Sequence, residues 1–192
     1  MLALQGDFLE HTLTLRRLGV EAVEVRLPRD MEGVEALIVP GGESTTMARM
    51  LDLGGLREPL RQRARAGMPV WGTCAGLILM ARELLEDRPE PLALMDIRVS
   101  RNAYGRQIDS FEDQVSAPAL GAEPFPAVFI RAPAILEAGA AVEVLARTAD
   151  GTPVAARQGN LLVCAFHPEL TMDTRFHAYF LSIARPVVPP AA

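Results

Sequence analysis

Three short stretches of this chain carry side chains suited to covalent chemistry. The first is Gly72-Thr73-Cys74-Ala75-Gly76, which follows the apolar pair Val70-Trp71 and opens an apolar run. That is the strand–turn–helix setting of a G-x-S-x-G nucleophile elbow, with sulfur in place of oxygen. Glycines on either side leave room for the tight turn that such an elbow needs. A cysteine at the start of a helix is helped towards its thiolate by the helix dipole. The backbone N–H of Ala75 would face an oxyanion. A lone cysteine is more often a buried structural residue, but the elbow context favours catalysis. Cys164 lies inside the apolar stretch 161–166 and reads as packing.

A thiol nucleophile needs a base, and the base needs a group to orient it. His167-Pro168-Glu169 stands at the end of the stretch 161–166. Pro168 disfavours helical backbone at His167, and in an extended chain the side chains at 167 and 169 project to one side. Glu169 would accept a hydrogen bond from one ring nitrogen while the other faces Cys74. His11 and His177 lie in helical stretches without such a setting and read as structural. The third stretch is Pro40-Gly41-Gly42-Glu43-Ser44, again between a strand and a helix. Neither G-x-x-x-x-G-K-[ST] nor G-x-G-x-x-G occurs, so an oxyanion-hole donor at Gly42 is a better reading than a phosphate loop. Without the cysteine elbow, a plain turn would be the preferred reading.

These residues need a scaffold that brings strand ends together. Short apolar strands are expected at 2–4, 22–25, 36–39 and 70–71, with helices over 9–18, 44–51, 56–66 and 75–85. Asp7 is expected to cap the first helix, Gly19 to end it, and Ser44-Thr45-Thr46 to cap the next. Alternating strands and helices imply a parallel sheet covered on both faces. Beyond residue 95 the pattern changes. Ile97 and Val99 alternate with polar neighbours, and further strands are expected at 127–130, 142–145, 153–157 and 161–166. Asp173 can cap a last helix. The expectation is one three-layer α/β domain over 1–184 with a mixed sheet, and a frayed Pro-rich tail over 185–192. Cys74 and His167 would both sit at strand C-terminal ends, where open α/β sheets place their sites.

Composition removes several alternatives. With 192 residues, 49% hydrophobic and 22% charged, the chain is too apolar to be disordered. A net charge of -5 and the absence of a Lys/Arg run argue against nucleic-acid binding. No stretch approaches the roughly 20 apolar residues of a membrane helix, and no secretory leader pattern opens the chain. Two cysteines and three histidines match no zinc spacing. The expected setting is cytoplasmic, with no membrane association and no metal.

The motifs together resemble the class I, triad-type glutamine amidotransferases, and within them the glutaminase subunits of pyridoxal 5'-phosphate synthases. The elbow and His167-Pro168-Glu169 carry the broader likeness. The narrower one rests on Leu4-Gln5-Gly6, Pro40 to Thr46, Arg101-Asn102-Ala103-Tyr104-Gly105-Arg106-Gln107, Ser110-Phe111-Glu112 and Phe129-Ile130-Arg131-Ala132-Pro133. The resemblance implies a flavodoxin-like fold and hydrolysis of L-glutamine by Cys74, His167 and Glu169. It implies glutamine held by Gly42, Glu43, Ser44, Arg101 and the main chain at Ile130-Arg131, with oxyanion donors at Gly42 and Ala75. It also implies no cofactor, and a barrel-shaped synthase subunit as the partner that takes the ammonia and activates the glutaminase. Two rivals are an amidotransferase serving another synthase, and a non-catalytic relative with a reactive elbow cysteine. The 101–107 and 129–133 segments oppose the first; His167, Glu169 and Arg101 together oppose the second.

Overall fold

In the computed structural model, which describes residues 1–101 and 110–184, the first half of the chain alternates helix and strand. Its elements are α1 (Phe8–Arg17), β1 (Leu37–Val39), α2 (Ser44–Leu53), α3 (Arg57–Arg65), β2 (Val70–Thr73) and α4 (Ala75–Met80). Strands dominate the second half: β3 (Ala81–Leu84), β4 (Met95–Ser100), β5 (Ser110–Val115), β6 (Phe125–Ile130), β7 (Ala134–Ala138), β8 (Glu143–Arg147), β9 (Pro153–Gln158) and β10 (Leu161–Cys164). Helix α5 (Arg175–Ala184) closes the described chain.

The central sheet runs β1-β2-β10-β9-β8. β1, β2 and β10 are parallel, while β9 and β8 add as antiparallel neighbours, so the sheet is mixed as expected. Residues at the chain start extend it beyond β1: Leu2 donates to the Ile38 carbonyl and Ala3 to that of Val25, both at 2.9 Å. The strands expected at 2–4 and 22–25 are thus present as a short parallel bridge between Leu2 and Val25.

Strand alternation in β2 explains the three layers. Trp71 points to one face, where it meets His11 of α1 and Phe176, His177 and Phe180 of α5. Gly72 points to the other, where a Cβ would lie 2.5 Å from the backbone of Gly76 in α4. Thr73, two residues on from Trp71, returns to the α1 face. Helices therefore cover both sides of a buried sheet.

Several expectations need correction. The helix expected over 75–85 stops at Met80, and β3 follows, paired in parallel with β4. All six residues of α4 are buried; polar Arg82 and Glu83 could not continue that face, so the chain turns into a second, smaller sheet ordered β3-β4-β7. Helix α2 is capped by Glu43, not Ser44, because its carboxylate accepts the N–H groups of both Thr45 and Thr46. Strands β5 and β7 are additions to the expected set. Most of β5 is polar and its partner β6 supplies the buried side. The tail 185–192 lies outside the described residues.

Candidate active site

Cys74 occupies the single residue between β2 and α4, with φ 47 and ψ -101. Positive φ is costly for a side chain with a Cβ, and such strain persists only where the surroundings enforce it. Here they do. The Cys74 N–H is tied to the Cys164 carbonyl at 2.8 Å on one side, and Gly76 passes so close to β1 that a Cβ would sit 2.1 Å from the Val39 carbonyl oxygen. The sulfur is 3.7 Å from the carbonyl oxygen of Ile130, at the end of β6. Cys164 is fully buried in β10, and burial pushes its thiol pKa up. Both cysteines are free thiols.

His167 follows β10 and is anchored by its N–H to the Val128 carbonyl at 2.8 Å. Its Nδ1 lies 2.7 Å from Glu169 Oε1, and Cys74 is among the neighbours that raise its pKa. With Nδ1 engaged by a carboxylate, Nε2 is left for the sulfur. The expected pairing is in place, although by a different route: Pro168–Leu170 forms a 3-10 turn rather than extended chain, with Pro168 at its start. Burial acts to lower the His167 pKa, but the Glu169 hydrogen bond and the neighbouring Asp7 and Cys74 outweigh it and drive the pKa up. Burial raises the Glu169 pKa, against the pull of His167.

Asp7 joins this group unexpectedly. It precedes α1 but makes no side-chain cap bond; its Oδ2 lies 3.3 Å from His167 Nδ1 instead. That contact, working against burial, lowers the Asp7 pKa. Asp7, His167 and Glu169 form a cluster of donor types that could hold a metal ion. The 2.7 Å Nδ1···Oε1 separation is that of a direct hydrogen bond, whereas a cation between the two atoms would hold them roughly 3 Å apart or more.

The Gly41-Gly42 turn lies against the same histidine. A Cβ on Gly41 would stand 2.3 Å from His167 Cε1. The Gly41 carbonyl accepts the Asp7 N–H at 3.2 Å, Gly42 has φ 151, and the Glu43 N–H donates to Gln5 Oε1 at 2.7 Å. Residues 5–7 therefore brace the loop at 41–43. Burial opposes ionisation of Glu43, but the Thr45 and Thr46 bonds bring its pKa to about 2. Arg101 reaches this carboxylate at 3.4 Å and also donates to the Arg88 carbonyl at 2.8 Å. Ser44 is buried at the start of α2, and Arg131 follows Ile130 with φ 44. The structure thus brings together the Cys74 region, Gly42, Glu43, Arg101 and Ile130-Arg131, while 102–107 lie outside the described residues.

Two residues read as structural have a closer connection to the site. His11 is fully buried in α1, with Nε2 3.2 Å from Glu169 Oε2 and 3.1 Å from Thr73 Oγ1. Its Nδ1 is 2.9 Å from Nε2 of His177, itself buried in α5. The helical setting expected for both is correct; the contact with Glu169 depends on how α1 packs on the sheet, which no local spacing encodes.

The family model described as the SNO glutamine amidotransferase family matches residues 1–185. A pyridoxal 5'-phosphate synthase subunit PdxT from Herpetosiphon aurantiacus is 58% identical over 186 residues, covering 95% of this chain and 98% of that protein. A PdxT from Dehalococcoides mccartyi is 54% identical over 191 residues, covering 98% of each. A solved structure described as a glutamine amidotransferase superposes with a TM-score of 0.90 at 48% identity, over 95% of this chain and 96% of that one.

Proposed function

The chain belongs to the SNO glutamine amidotransferase family, and from that premise we propose that Cys74, His167 and Glu169 hydrolyse L-glutamine to L-glutamate and ammonia. The relatives at 51–58% identity are named as subunits of pyridoxal 5'-phosphate synthase, so the ammonia serves pyridoxal 5'-phosphate synthesis in a partner synthase subunit. We assign that partner a barrel shape on the family resemblance. The observation that carries the reading is the strained Cys74 in its Gly72–Gly76 elbow, acting on a histidine that is itself paired with a buried carboxylate.

The geometry accounts for both halves of the reaction. The Cys74 sulfur attacks the carboxamide carbon, and N–H groups of Gly42 and Ala75 stabilise the oxyanion. His167 begins as the imidazolium, which its surroundings favour, and donates its proton to the departing ammonia. That transfer leaves a glutamyl thioester and a neutral imidazole, which is the form needed to take a proton from water. The resulting hydroxide attacks the thioester, glutamate departs, and the thiolate–imidazolium pair is restored. Glu169 holds Nδ1 throughout, as an orienting carboxylate does in other triads. Glu43, Ser44 and Arg101, with the main chain at Ile130-Arg131, hold the substrate's amino-acid end; the guanidinium pairs with its α-carboxylate. No helix of the described chain is long and apolar enough to cross a membrane.

A glutamine-mimicking electrophile, followed by peptide mass spectrometry, tests the nucleophile assignment. Labelling at Cys74 that excess glutamine suppresses is the expected result. Labelling confined to Cys164 would remove Cys74 from the mechanism.

A further inference from the structure

The triad does not end at Glu169. One carboxylate oxygen, Oε1, is bonded to His167; the other, Oε2, is buried without a well-formed hydrogen bond among the described residues, and His11 Nε2 stands 3.2 Å from it. With Glu169 ionised opposite the His167 imidazolium, an oxygen so close to a ring nitrogen calls for a proton on that nitrogen, because two facing lone pairs repel. With the proton on Nε2, His11 donates to Thr73 Oγ1 at 3.1 Å and sets the positive end of its N–H dipole against Oε2. Its Nδ1 must then accept, and His177 Nε2, 2.9 Å away, is the group that donates. That assignment leaves His177 Nδ1 as a bare lone pair, and this atom is buried with no partner among the described residues. The opposite tautomers would leave an N–H unpaired there and turn a lone pair towards the carboxylate.

We propose that His11 is a positioning residue of the glutaminase: with its proton held on Nε2 by His177, it keeps the Glu169 carboxylate ionised and aimed at His167. Burial keeps both rings neutral, consistent with a relay of dipoles rather than of charge. This rests on the reading of Cys74, His167 and Glu169 as the catalytic triad. The two ring nitrogens act in opposite senses, so a side chain that supplies an N–H at the Nε2 position replaces His11, and an apolar one of similar size does not.

Two measurements on the full chain with its synthase subunit decide the matter. The three histidines make nitrogen-15 imidazole NMR tractable, with single-histidine variants for assignment. The expected spectrum shows neutral His11 and His177, each protonated on Nε2; a His11 ring protonated on Nδ1 overturns the proposal. In kinetics, His11→Leu should lower kcat roughly 10- to 100-fold with little change in KM, by analogy with the loss of outer partners around metal-bound histidines. His11→Gln, whose amide nitrogen falls near the Nε2 position, should recover most of that loss. Unchanged kcat in a folded His11→Leu, or equal losses in Leu and Gln variants of equal thermal stability, overturns it. Failure of the glutaminase reading would look different: the wild-type complex would release no glutamate.

Discussion

At the scale of single residues, His167 is the group whose environment does most to set the chemistry. It faces two carboxylates on its Nδ1 edge, Glu169 at 2.7 Å and Asp7 at 3.3 Å. Asp7 is partly exposed and raises the His167 pKa while its own falls, so both partners agree on the sign. Replacing Asp7 by Asn removes one source of that rise. The imidazolium then loses its proton at lower pH, and the alkaline limb of the kcat/KM profile should move down, while the protein stays folded. An unmoved limb would mean that the Asp7 contact has no electrostatic weight. Arg101 gives a second residue-level test. Its fork spans the Glu43 carboxylate and the Arg88 carbonyl, and a lysine cannot hold a substrate carboxylate with two parallel bonds. Loss of one charge-assisted bond costs about 1.5–3 kcal/mol, so Arg101→Lys should raise the KM for glutamine by roughly tenfold or more. Steady-state kinetics at saturating synthase would show this. An unaltered KM would make Arg101 a scaffold residue.

At the scale of elements, the elbow works because β1, β2 and α4 approach within backbone contact. Gly76→Ala would place a methyl group 2.1 Å from the Val39 carbonyl oxygen. The expected penalty is about 1–3 kcal/mol or more for forced overpacking, seen as a melting temperature lowered by about 2–4 °C per kcal/mol, together with loss of activity. A variant of unchanged stability would contradict this packing. That part of the site is legible in the sequence, since a Gly-x-Cys-x-Gly spacing after an apolar pair encodes both turn and close approach. The proton partners are half legible. His167 and Glu169 are neighbours in sequence, so their pairing holds even though a 3-10 turn takes the place of an extended chain. Asp7 and His11 come from the other end of the chain and meet His167 and Glu169 only because α1 packs beside β2. Elements whose state depends on a distant partner are hidden for the same reason. Ala81–Leu84 reads as helix by composition and becomes β3 because β4 lies alongside it.

At the scale of the whole molecule, we propose the braced loop at 41–43 as the point where hydrolysis is controlled. Ammonia made without a synthase to receive it is wasted, and a Gly41-Gly42 peptide can turn over at little cost to present either an N–H or a carbonyl to the oxyanion. The Gly41 carbonyl is held by the Asp7 N–H, and Glu43 by Gln5, so any partner that shifts residues 5–7 acts directly on that peptide. A missing oxyanion donor typically costs about 100- to 1,000-fold in turnover. We therefore expect weak hydrolysis by the isolated chain and strong stimulation by the synthase subunit, expressed mainly in kcat. The most direct measurement is steady-state glutamate release from glutamine by the purified chain, titrated with the synthase subunit, for wild type and Cys74→Ala side by side. The expected result is slow release by the wild-type chain, a rise in kcat that saturates with partner, and no release by Cys74→Ala at any partner concentration. Glutamate release that persists in Cys74→Ala, or a wild-type complex that leaves glutamine intact, would contradict the assignment of Cys74 as the nucleophile of a glutaminase.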